Sequence, residues 1–109
     1  MNGWIGVDLD GVLAEYHSWN NGRIGKPVLK MVERVKAWLA KGKDVRVFTA
    51  RVSNDPEGHQ LRLIQQWCRD NIGESLPVTC EKNFQMNELW DDRAVQVIPN
   101  TGERADGLS

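Results

Sequence analysis

A chain of 109 residues, 40% hydrophobic and 27% charged, has the size of a single domain, and its sequence holds no apolar run long enough to cross a bilayer. With 14 basic and 15 acidic residues, its formal charge is -1, which excludes a global field drawing it to nucleic acid. The N-terminal stretch reaches Asp8 too soon for a secretory signal, and Cys68 and Cys80 lack the close Cys or His spacing of a zinc site. A cytoplasmic protein with reduced, buried thiols is therefore expected.

Residues 4–9, Trp-Ile-Gly-Val-Asp-Leu, form a short apolar run that suits a strand buried on both faces and that ends in acid. Between 27 and 41 the apolar residues Val28, Met31, Val32, Val35 and Leu39 recur at three and four. With Pro27 suited to the first turn and Gly42 to the stop, an amphipathic helix is expected there. Residues 45–49 read as a second strand. After them, Asp55-Pro56 offers a cap and first-turn proline for a helix that turns Leu61, Ile64, Trp67 and Cys68 inward and ends near Gly73.

Three further short strands are expected at 77–80, 88–91 and 94–98, the last an edge strand because Pro99 follows it. Strands and helices alternate at first, as in a parallel α/β sheet, and such sheets bind ligands beyond the carboxyl ends of their strands. Residues 1–100 are read as one catalytic domain and 101–109 as a loose polar tail.

The chemistry lies in the acids at those strand ends. Asp8 and Asp10, two apart, point to one side of an extended chain, and Gly11 lets the backbone turn sharply. Two neighbouring carboxylates repel, so a site that keeps both ionised needs a cation, and hard oxygen ligands favour magnesium or calcium. Asp91 and Asp92, at another strand end, would complete such a site. A calcium loop is excluded because Val12 stands where a further oxygen ligand is needed.

At this point the residues resemble the haloacid dehalogenase (HAD) superfamily. The run Ile-Gly-Val-Asp-Leu-Asp-Gly-Val at 5–12 resembles its first motif, Val-Phe-Thr-Ala-Arg at 47–51 the second, Lys82 the third, and Leu-Trp-Asp-Asp-Arg at 89–93 the fourth. The Asp-Asp-Arg ending is also similar to the phosphatase part of phage polynucleotide kinases. The resemblance implies a Rossmann-like three-layer α/β sandwich with a mainly parallel five-stranded sheet. It is a minimal core, with no room for a cap domain after the first or second motif.

The same resemblance implies a magnesium-dependent phosphatase working through an aspartyl-phosphate. Asp8 would be the nucleophile and a metal ligand. Asp10 would be the general acid and base, with its backbone carbonyl reaching the metal. Thr49 and Lys82 would hold phosphoryl oxygens, helped by the backbone around Gly11 and Ala50. Asp92 would bind Mg2+ directly with Asp91 in support, and Arg51 and Arg93 would contact the substrate.

The resemblance also implies that residues 81–87 can bridge three strand spacings without a helix. About 14 Å must be crossed at roughly 4.8 Å per spacing, and seven extended residues reach about 23 Å. In the polar, aromatic segment 15–22, Tyr16 and Trp19 have two readings: a surface on which a nucleobase stacks, or, for Trp19, a plug over the core edge. The expected substrate is a phosphorylated small molecule, a nucleotide or a nucleic-acid end, with sugar phosphates as the alternative and no membrane partner. A receiver domain, or an idle fold that only binds phosphate and metal, is the non-enzymatic alternative. Receivers place the acidic pair first, whereas here it comes last.

Overall fold

A computed structural model describes residues 3–108 of the chain. Strand β1 (Trp4–Asp8) lies in the interior of a four-stranded, wholly parallel sheet, between β2 (Asp44–Phe48) and β4 (Met86–Trp90), with β3 (Val78–Thr79) beyond β2. Helix α1 (Leu29–Ala40) connects β1 to β2, and α2 (His59–Asn71) connects β2 to β3. No helix among the described residues is long and apolar enough to cross a membrane.

Side-chain alternation separates the two faces of the sheet. Ile5 and Val7 lie in register with Val45 and Val47, and all four are buried in one core with Met31, Val32 and Val35 of α1 and Ile64, Trp67 and Cys68 of α2. Both crossovers step in the same direction along the sheet, so their right-handedness places both helices on this one face. Helix α1 ends where Gly42, at φ +76, turns the chain back so that the Lys43 amide reaches the Trp38 carbonyl.

Among the described residues the opposite face has no helix, and Trp4 covers it instead. Its indole packs over Gly6, where an added Cβ would stand 3.2 Å from Trp4, 3.3 Å from Leu89 and 3.3 Å from the Met86 sulfur. The indole N–H donates to Asn83 Oδ1 at 2.9 Å, and the Arg46 guanidinium lies 4.6 Å from the ring centre.

Two expectations about the sheet are corrected, its strand number and its layering. Among the described residues the sheet has four strands and not five: residues 94–98 form no strand, and a single antiparallel bridge, Val97 to Arg104, turns this segment back on itself. Residues 101–108 supply the second limb of that turn, with the Ile98 amide on the Glu103 carbonyl at 2.8 Å. A three-layer sandwich is not found either. β3 and β4 are three spacings apart, as expected, but the link between them is too short for a helix, so no helical layer forms on the Trp4 face.

The start of α2 also differs from its reading. The helix opens at His59 after Gly58 in a left-handed conformation, and Asp55 is not the N-cap residue. The Asp55 carboxylate still reaches the first turn, accepting from the amides of Gln60 and Leu61 at 3.1 and 3.0 Å. Those bonds, that from Leu61 foremost, hold its carboxyl below the usual range.

Candidate active site

Because all strands run parallel, their carboxyl ends share one edge of the sheet, and that edge collects the acids. Asp8 closes β1 and lies in register with Phe48, the last residue of β2, while Asp91 and Asp92 follow β4 directly. One carboxylate oxygen from each of Asp8, Asp91 and Asp92 lies within 4.8 Å of the others. All three donors are hard oxygens at the spacing a divalent cation bridges, so these residues could hold one.

The electrostatics of the trio agree with its geometry. Asp8 is pushed up to about 7, first by burial and then by the charges of Asp91 and Asp92, against a hydrogen bond from the Leu9 backbone that lowers it. Three carboxylates this close cannot all ionise cheaply without a positive partner. Asp91 is fixed by its own turn, its Oδ1 accepting from the amides of Arg93 at 2.6 Å and Ala94 at 3.0 Å.

Gly11 serves this cluster by having no side chain. A Cβ there would stand 2.5 Å from Asp92 Oδ2, and its φ of +91 disfavours any other residue. Its amide is already engaged by the Ala14 carbonyl at 2.8 Å, so Gly11 makes room for Asp92 while its N–H is turned to Ala14.

Thr49, 2% exposed, follows β2. Its Oγ1 accepts from the Arg51 amide at 3.1 Å, which leaves the hydroxyl proton able to donate. Asp10 turns its carboxylate to Arg51: Nε donates to Oδ2 at 2.8 Å and Nη2 to Oδ1 at 2.9 Å. Arg51 is therefore paired inside the protein, and its side chain is only 3% exposed.

An open cavity of about 520 Å³ brings most of the sequence-derived residues together: Asp8, Asp10, Tyr16, Trp19, Thr49, Ala50, Arg51, Asp91, Asp92 and Arg93 line it. Lys82 does not join them; it is exposed and lies outside this lining. Arg93 is exposed at the cavity and makes no ion pair among the described residues. Trp19 is 53% exposed with the Arg51 guanidinium 4.8 Å from its ring centre, so it is no plug over the core.

Phe48, Ser53 and Asn54 also line the cavity and were not singled out by sequence reasoning. Phe48 is the neighbour of Asp8 in register, a signal available only once the strands are aligned. Ser53 and Asn54 follow a short helical turn, Ala50–Val52, in the loop at the end of β2. Their place at a strand end was the available clue.

Neither a protein-family model nor a curated protein matches the sequence. Among solved structures, the chain is similar to one described as the structure of a conserved protein coded by a locus from Bacteroides thetaiotaomicron. The identity is 24% and the TM-score 0.66, over 92% of this chain and 84% of that one. The likeness extends to the fold.

Proposed function

We propose that the protein is a magnesium-dependent phosphohydrolase of the HAD type, cleaving a phosphomonoester through an aspartyl-phosphate. The observation that carries this reading is the meeting of Asp8, Asp91 and Asp92 at the carboxyl edge of a parallel sheet, with Asp10 and Thr49 lining the same cavity. The all-oxygen donor set fits magnesium. When bound, the ion offsets the charge that three carboxylates and a phosphate bring together, and it favours the ionised form of Asp8.

In the first step an oxygen of Asp8 attacks phosphorus. The bond from phosphorus to the ester oxygen breaks, its electron pair goes to that oxygen, and Asp10 supplies the proton. In the second step water gives a proton to Asp10 and attacks the same phosphorus. The bond to Asp8 breaks, its electron pair restores the carboxylate, and inorganic phosphate leaves with Asp10 protonated again. The Thr49 hydroxyl donates to a phosphoryl oxygen, and Arg93 supplies the positive charge that the resemblance had given to Lys82.

A nucleotide or a nucleic-acid end is the proposed substrate class. Half-exposed Tyr16 and Trp19 border the cavity that holds Asp8, where a base could stack, and the cavity is open enough for a substrate larger than a simple sugar phosphate. Phosphate release should be measured on a panel of nucleotides, phosphorylated oligonucleotide ends and sugar phosphates, with magnesium or chelator. Release that needs magnesium and is lost in Asp8→Asn is expected; activity surviving in Asp8→Asn would sink the mechanism, and sugar phosphates outrunning nucleotides would move the substrate class.

A further inference from the structure

Arg51 was expected to meet substrate, yet every direction its guanidinium offers is taken by the protein. Besides the two bonds to Asp10, Nη1 donates to the Gly22 carbonyl at 2.6 Å and to Gln60 Oε1 at 3.0 Å, and Nη2 donates to the Arg23 carbonyl at 3.4 Å. The face of the group lies against Trp19. One planar cation thus joins the loop after β1, the segment that carries Trp19, and α2, and its own amide is bonded to Thr49.

The Asp10 carboxylate has no other side-chain partner among the described residues, so its orientation is set by Arg51 alone. A fork gripping both oxygens fixes the plane of the carboxylate and still leaves each oxygen a second lone pair for a proton. Lysine could not do the same, because a tetrahedral ammonium cannot hold two carboxylate oxygens and two carbonyls in one plane. A phosphate could reach this guanidinium only by breaking a buried pair, and an uncompensated buried charge is strongly unfavourable.

We infer that Arg51 is a positioning residue: it orients Asp10 for proton transfer and ties it to the Trp19 segment, so that this carboxylate and the aromatic rim of the cavity hold their places together. The kinetic consequence rests on the hydrolytic reading above, whereas the mechanical one does not.

The test uses Arg51→Lys and Asp10→Asn, with Arg93→Ala as a control at the same cavity. Hydrogen exchange reads the mechanical part. The Gly22 and Arg23 amides, bonded to the carbonyls of Trp19 and Asn20, should exchange about tenfold faster in Arg51→Lys and in Asp10→Asn, and unchanged in Arg93→Ala. Asp10 touches none of these groups except through Arg51, so unchanged exchange in Asp10→Asn would overturn the link.

Kinetics read the positioning part. With p-nitrophenyl phosphate, whose leaving group needs no proton, Arg51→Lys should keep the first step and slow the second, giving a burst of about one nitrophenolate per site. Its steady-state kcat should fall about 100-fold and KM should fall with it, leaving kcat/KM within about threefold of wild type. A KM raised tenfold with kcat intact and no burst would assign Arg51 to substrate binding and overturn the inference. Absence of phosphate release from wild-type protein on every substrate would instead remove the hydrolytic reading and with it the kinetic role, leaving exchange to decide the link alone.

Discussion

Trp38 of α1 meets Trp90 of β4 edge to face, ring centres 5.3 Å apart, one residue before the acidic pair begins. The Arg34 guanidinium lies 4.8 Å from the same Trp90 ring. Among the described residues β4 is an edge strand, paired with β1 alone, so this aromatic contact ties the strand that delivers Asp91 and Asp92 to the helical face. Trp38→Ala should lower stability by about 2 kcal/mol, from lost burial and lost ring contact. Urea unfolding measures that loss, and magnesium affinity should weaken in the same variant because the acidic pair is less well placed.

Gly11→Ala tests the fit around Asp92. The new Cβ would both adopt a disfavoured φ and crowd Asp92 Oδ2, so a loss of about 1 to 3 kcal/mol is expected. Magnesium titration should show weaker binding as Asp92 is displaced. A variant as stable and as metal-competent as wild type would mean that the loop after β1 moves aside without consequence.

The raised Asp8 carboxyl predicts an uncommon pH dependence for metal-free protein. Its folded value of about 7 lies above the ordinary 3.8, so between those two values the folded state binds more protons than the unfolded state, and stability falls as pH rises through that window. Above about 7 the contribution levels off. Thermal unfolding in chelator should show this decline. Magnesium, which binds the ionised form, should raise the melting temperature more at pH 8 than at pH 5. An equal magnesium effect at both pH values would mean that the cation does not meet Asp8.

Trp19→Ala addresses the aromatic rim. Base stacking on an aromatic side chain is worth about 1 to 3 kcal/mol, so KM for a nucleotide should rise about tenfold while KM for ribose 5-phosphate stays level. Equal changes for both substrates would assign Trp19 to holding Arg51 and not to reading a base.

Lys82→Ala separates the structure from the resemblance. An exposed lysine outside the cavity should be replaceable with kcat/KM changed by less than about twofold. A 100-fold loss would show instead that Lys82 swings to the phosphate when substrate binds.

By itself the sequence determined the parts whose causes are local. Alternation and apolar runs marked β1 and β2, three-and-four spacing marked both helices, and Gly42 marked the end of α1, because each depends on residues within a turn or two of one another. Asp8, Asp10, Thr49 and the Asp91-Asp92 pair were readable as strand-end residues for the same reason. Tertiary structure decided what depends on distant partners. Arg51 and Asp10 are 41 positions apart, so no window along the chain could show that the arginine faces inward and leaves Arg93 as the exposed cation of the cavity. Residues 94–98 have the composition of a strand but no neighbouring strand to pair with, and a strand is stabilised only by its neighbour's hydrogen bonds and side chains. The helix-free face was decided the same way: the link from β3 to β4 was too short for a helix, and the Trp4 ring, held by Asn83 and Arg46, filled the space.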